Sequence, residues 1–175
     1  MRKKIILITG GAGFIGSSLI KYLINSKSKY KIISLDNYSS GSIKNHIKNK
    51  NVKYVKGNTK DINKFFNKIK KDIDVIFHFG EFSRIFQSFA NYKKCFEYNI
   101  HHSSKVIEFA KDNKIKIIYS ATSSNLGNNG KDENLSPYSW SKTKNIELIK
   151  NYHKWFGLKY ELVYFYNVYG PGQII

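Results

Sequence analysis

Two sets of residues in this chain have the types and spacing to do chemistry. The first is Gly11-Ala12-Gly13-Phe14-Ile15-Gly16, a Gly-x-Gly-x-x-Gly run with Gly10 directly before it. It follows the apolar run Ile5–Thr9 and precedes SSLIKYLINS, whose apolar residues recur at helical spacing. Strand, glycine turn and helix together bind phosphate. Glycine lets the backbone turn sharply and approach a pyrophosphate, and the helix start offers free N–H groups and a positive dipole end. Asp36 ends a second apolar run, KIISLD, about 20 residues past the last glycine, where a dinucleotide site needs a carboxylate for the ribose 2′-hydroxyl. A carboxylate there repels a 2′-phosphate, so the expected cofactor is NAD rather than NADP.

The second set is Tyr138-Ser139-Trp140-Ser141-Lys142. Tyrosine and lysine four apart share one face of a helix. An ordinary tyrosine, with a pKa of about 10, is a poor base at neutral pH. A nearby ammonium and an oxidised nicotinamide would favour the phenolate. Tyr138 is then expected to take a proton from a sugar hydroxyl while hydride leaves the same carbon, and Lys142 to hydrogen-bond the nicotinamide ribose. Just upstream, the strand Ile117–Ser120 opens into Ala121-Thr122-Ser123-Ser124. A hydroxyl at that strand end could share a proton between Tyr138 and substrate.

These groups need a scaffold. Six apolar runs read as strands: Ile5–Thr9, Lys31–Leu35, Val52–Val55, Val75–Phe79, Ile115–Tyr119 and Tyr160–Phe165. Most are continuous Ile, Val, Leu and Phe, the pattern of parallel strands buried on both faces. Between them Ser17–Ser26, Ile62–Lys71, Tyr92–Asn113 and Tyr138–Phe156 have helical spacing. The alternation implies an α/β fold, a doubly wound parallel sheet of Rossmann type in a single domain. Asp61 is a candidate N-cap, and Pro137 follows the polar loop Asn128–Ser136 at a helix start.

Composition narrows the partners. The 175 residues are 41% hydrophobic and 15% aromatic, enough for one globular domain with a core. No apolar run approaches a membrane span, and the basic opening residues lead into strand one. The formal charge of +18 invites a nucleic-acid partner. The lysines, however, are scattered through every segment with Asn, Ile, Tyr and Phe, so a solvated basic surface is the reading and no nucleic acid is expected. Cys95 is alone, which fits a reducing cytoplasm. The five histidines have no metal-ligand spacing with Cys95 and read as structural or surface residues.

The ordered motifs TGGAGFIG at 9–16, DNYSSG at 36–41, HFGEFS at 78–83, the hydroxyl cluster, PYSWSK at 137–142 and YNVYGPGQ at 166–173 resemble the NAD-dependent epimerase/dehydratase family, the extended short-chain dehydrogenases/reductases acting on nucleotide sugars. The resemblance covers essentially the whole chain and implies site residues by position. Gly10, Gly13, Phe14, Ile15 and Gly16 would hold the pyrophosphate, and Asp36 and Asn37 the adenosine ribose. Asn58 and Thr59 fall at the adenine edge. Phe79, Gly80 and Ser83 fall on the loop passing the cofactor, with Asn99 near it. Thr122 takes the catalytic Ser/Thr position, and Asn167 a substrate-contacting one. Family 4,6-dehydratases carry Thr-Asp-Glu where this chain has Thr122-Ser123-Ser124. The resemblance therefore points to an epimerase acting like UDP-glucose 4-epimerase. Heptose-nucleotide 6-epimerase, another nucleotide-sugar dehydratase or reductase, and a catalytically inactive NAD-binding module are the alternatives. Family members often pair through helices such as Tyr92–Asn113 and Tyr138–Phe156, which makes a homodimer possible. Glu81 replaces a small residue beside the cofactor, and His102 a common Gly. The family's C-terminal substrate-binding region has no counterpart, so the chain is expected to be truncated.

Overall fold

The computed structural model describes residues 4–26 and 30–173. The opening residues 1–3, part of the basic start, and residues 174–175 lie outside them. Six strands form one parallel sheet: β1 (Ile5–Thr9), β2 (Lys31–Asp36), β3 (Val52–Lys56), β4 (Ile73–His78), β5 (Lys116–Thr122) and β6 (Tyr160–Phe165). Their order is β3-β2-β1-β4-β5-β6. The chain leaves β1 toward β2 on one side and later returns through β4 on the other. The connections at the carboxyl ends of β1 and β4 therefore diverge and leave a crevice between them.

Period-two alternation sends neighbouring side chains of a strand to opposite faces. Ile6 and Ile8 of β1 pack with Ile32 of β2 and with Ile20 of α1 (Phe14–Asn25). Leu7 and Leu35 point the other way, into a larger cluster with Ile76, Ile117 and Tyr119. That face is covered by α2 (Ile62–Phe66), α5 (Ser103–Asp112) and α6 (Pro137–Phe156), through Phe66, Val106, Phe109, Ile146 and Ile149. Strands buried on both faces explain the continuous apolar runs.

Several helices differ from their sequence expectation. The periodic run from Ile62 to Lys71 is helical only to Phe66, with a separate 3-10 turn at Lys70–Asp72. Asp61 occupies the N-cap position of α2, but its side chain makes no capping bond. The run Tyr92–Asn113 divides into α4 (Tyr92–Phe96), a π turn (Glu97–His102) and α5. A short helix, α3 (Ile85–Ala90), had no clear periodic signal. Its Phe86 is 91% exposed, so no buried stripe marks it.

The start of α6 follows its sequence. The Ser136 side chain accepts from the Ser139 N–H, and Pro137 stands in the first turn. Gly157 ends the helix at φ 71°, with its N–H on the His153 and Tyr152 carbonyls. This twenty-residue helix carries Tyr138 and Lys142, so its N-terminal placement positions the site. Ile117 lies fully buried in β5 beneath it. Replacing Ile117 with Ala should lower the unfolding free energy by about 2–5 kcal/mol, read from urea denaturation.

Candidate active site

At the end of β1 the backbone turns through Gly10, at φ +72°. A Cβ on Gly10 would lie 2.7 Å from the Phe79 carbonyl carbon and oxygen and 2.8 Å from the Gly80 nitrogen. A Cβ on Gly16 would lie 2.3 Å from the Gly10 oxygen. Both positions therefore require glycine. The loop is pinned from β2: the Gly10 N–H donates to the Leu35 carbonyl (2.8 Å), and the Ala12 N–H donates to Asp36 Oδ2 (2.9 Å). The other Asp36 oxygen accepts the Tyr38 N–H (2.8 Å). Helix α1 then starts at Gly13 with no side-chain cap and no acidic residue in its first turn. Its leading N–H groups are thus left for an anion.

Above this loop opens a cavity of about 710 Å³, the size of a cofactor site. Gly10, Gly13, Phe14, Ile15 and Gly16 line it from β1 and α1, and Asp36 and Asn37 from the end of β2. Thr59, Phe79, Gly80 and Ser83 line it from the loops after β3 and β4. Thr122, Tyr138, Lys142 and Asn167 close the opposite side. Two expected residues stand outside the lining. The Asn58 Oδ1 accepts from the Asn37 amide (2.8 Å). Asn99 is fully buried; its Oδ1 accepts the Phe82 N–H (2.7 Å), and its amide donates to the Phe82 carbonyl (3.0 Å) and Ser141 Oγ (3.0 Å). Asn99 therefore fixes the loop that carries Glu81. His102, read from sequence as structural or surface, lines the cavity beside Tyr98, their rings stacked 5.1 Å apart.

Glu81 is the feature that sequence reading registered only as a departure. Its carboxylate is buried and pairs with the Lys142 ammonium. It also accepts from Ser103 (2.7 Å), Tyr119 (2.9 Å), Asn145 (3.1 Å) and Ser120 (3.4 Å). The Lys142 ammonium further donates to Ser120 Oγ (3.1 Å) and lies 4.3 Å from the centre of the Tyr119 ring. A signal was present: Tyr138, Lys142 and Asn145 stand at i, i+4 and i+7, one helical stripe.

The network continues to β1 through His78. Ser103 donates to Glu81, so its oxygen accepts from the His78 Nε2–H (2.9 Å). The Nδ1 atom is then the acceptor for the Thr9 hydroxyl (2.6 Å). Thr9 Oγ1 in turn accepts the Phe79 and Gly80 N–H groups (3.2 and 3.1 Å). This neutral tautomer satisfies every member. Burial drives the His78 pKa down to about 4, against the pull of Glu81. Burial would also raise the Glu81 carboxyl, but the Lys142 ammonium outweighs it and holds Glu81 below its ordinary value.

The phenol of Tyr138 departs from expectation. Burial, then the Glu81 charge, push its pKa up to about 12, while a hydrogen bond from Thr122 pulls the other way. The expected lowering by Lys142 does not occur, because Glu81 already partners that ammonium.

Comparison with known proteins agrees with this architecture. A family model described as the NAD dependent epimerase/dehydratase family matches residues 6–174. A dTDP-D-glucose 4,6-dehydratase of Dictyostelium discoideum is 35% identical, the match covering 96% of this chain and 44% of that protein. A putative UDP-glucose 4-epimerase of Methanocaldococcus jannaschii is 32% identical, over 96% of this chain and 57% of that one. The crystal structure of a UDP-glucose 4-epimerase from Thermotoga maritima with UDP-glucose superposes with a TM-score of 0.84 at 29% identity. That superposition covers 95% of this chain and 57% of the other. The chain thus spans about half the length of the curated relatives it matches.

The neutral His78 has a pH consequence. Its pKa lies below the unfolded value of 6.5, so the unfolded chain binds the proton more tightly. The stability it contributes is complete above about pH 6.5 and is lost as pH falls toward 4, by up to about 3 kcal/mol. Urea unfolding at a series of pH values should show this decline, and His78→Gln should flatten it.

Proposed function

The chain belongs to the NAD dependent epimerase/dehydratase family, and on that premise we propose that residues 1–175 form the cofactor-binding domain of a nucleotide-sugar epimerase. One observation carries the reading: a single cavity holds both the glycine cradle and the Thr122–Tyr138–Lys142 group, at the carboxyl edge of the sheet. The residues fit NAD. The uncapped start of α1 faces the place for a pyrophosphate, and Gly10 and Gly16 leave room that a Cβ would fill. Asp36 lines the adjacent wall, where a ribose hydroxyl can donate to it and a 2′-phosphate would be repelled.

When bound, NAD supplies a reversible hydride acceptor. The protein's share is the proton. Tyr138 exchanges a proton with the substrate hydroxyl, and the Thr122 hydroxyl on the same wall favours its ionised form. Lys142 holds a positive charge on the same wall, four residues along the helix. Asn167, from the segment after β6, offers an amide to the substrate side of the cavity.

Epimerisation is favoured over dehydration by the hydroxyl cluster. Water elimination needs an additional acid and base near the sugar, and Thr122-Ser123-Ser124 supplies neither. Glu81 lines the cavity, but its oxygens are already filled by five donors. The sugar, on this reading, is a nucleotide sugar such as a UDP-hexose. Pairing of two copies belongs to the same reading. It would use the α4 and α6 face, where Phe96 and Trp140 are partly exposed with ring centres 5.4 Å apart.

Isothermal titration of the chain tests the proposal. NAD should bind, and NADP should bind about tenfold or more weakly, through charge repulsion at Asp36. Gly16→Ala should remove NAD binding while circular dichroism stays unchanged. No heat with NAD, or equal affinity for NADP, would overturn the reading.

A further inference from the structure

The proposed proton exchange gives Glu81 no role, yet no side chain in the cavity wall is more densely partnered. A buried ammonium is unfavourable unless a counter-charge and acceptors surround it. Without Glu81, Lys142 would keep, among the described residues, the Ser120 hydroxyl and the Tyr119 ring face. Lys142 is 3% exposed, so water has little access to replace the carboxylate. We propose that Glu81 is the positioning residue of this site, a clamp that holds Lys142 as an ammonium aimed along the cavity wall beside Tyr138. The inference rests on the reading of Tyr138 and Lys142 given above.

The clamp is itself rigid. Ser103 of α5, Tyr119 and Ser120 of β5 and Asn145 of α6 approach the carboxylate from separate elements. The titratable groups facing it are His78 from β4, Tyr119 from β5, Cys95 from α4, and Tyr138 and Lys142 from α6. His78 is neutral, and the thiol and both phenols are uncharged at neutral pH, so Lys142 is the cation that answers Glu81 there. Burial by itself lowers the Lys142 pKa, and the Glu81 charge opposes that fall. The Asn145 amide also donates to the Asn99 carbonyl. The clamp is thereby tied to the residue that fixes the Glu81 loop.

The test follows the Lys142 side chain by NMR in the full chain carrying [6-13C]lysine, with Lys142→Met identifying its signal. In Glu81→Gln the midpoint of Lys142 titration should fall by at least about one pH unit, a tenfold loss of proton affinity. Glu81→Asp should restore most of it. An unchanged midpoint in a folded Glu81→Gln chain overturns the clamp. If Glu81→Gln does not fold, urea unfolding of Glu81→Asp, Lys142→Met and their double variant replaces it. Strong non-additivity supports the clamp, and simple additivity overturns it. The measurement uses no cofactor. A chain that fails to bind NAD yet shows the shift overturns the functional reading and supports the clamp. A chain that binds NAD with Lys142 unmoved overturns the clamp alone.

Discussion

The structure turns on one close approach, between the backbone of the first glycine turn and the backbone at the end of β4. Gly10 meets Phe79 and Gly80 with no room for a single methyl group. The Thr9 hydroxyl locks the contact by accepting both N–H groups of the β4 segment and donating to His78. From this junction the two connections diverge, one into α1 with its uncapped N-terminus, the other into the loop carrying Glu81. The cavity is the space between them. Widening the junction would displace the glycine turn and the polar wall together.

The polar wall shows how a charge survives inside an apolar domain. Glu81 and Lys142 are each almost fully shielded from water, and a bare pair in that setting is at best a weak source of stability. Here the remaining oxygen capacity is filled by hydroxyls from α5 and β5 and an amide from α6, and a neutral histidine completes the chain to β1. Such a network fixes geometry more than it adds free energy. Its consequence for chemistry is direct. The ammonium that could acidify Tyr138 is already matched by a carboxylate, so the phenol stays protonated at neutral pH.

Much of this was legible in the sequence. Parallel strands buried on both faces leave continuous apolar runs, and most of the six strands were marked that way, the half-exposed edge strands β3 and β6 less so. Pro137 marked the start of α6, because a missing N–H is local chemistry, whereas the Ser136 cap appears only in the structure. The glycine spacing marked the cradle, because only glycine tolerates the contacts at positions 10 and 16. What escaped depends on partners distant in sequence. Ile62–Lys71 breaks after Phe66 and Tyr92–Asn113 is interrupted by a π turn, although periodicity alone carries through both. Asn99 reads as a cofactor neighbour but serves the Phe82 backbone. Glu81 looked like an intrusion beside the cofactor, since its donors lie 22 to 64 positions away in the chain.

The central claim is that the glycine cradle and Tyr138 address the two ends of one bound dinucleotide. The most direct measurement is a crystal structure of the chain soaked with NAD. The account predicts the pyrophosphate on the N–H groups at the start of α1, with the nicotinamide ring in van der Waals contact with Tyr138 and Lys142, within about 4 Å. A dinucleotide seated elsewhere, or a nicotinamide pointing away from Tyr138 with the pyrophosphate in place, would contradict it.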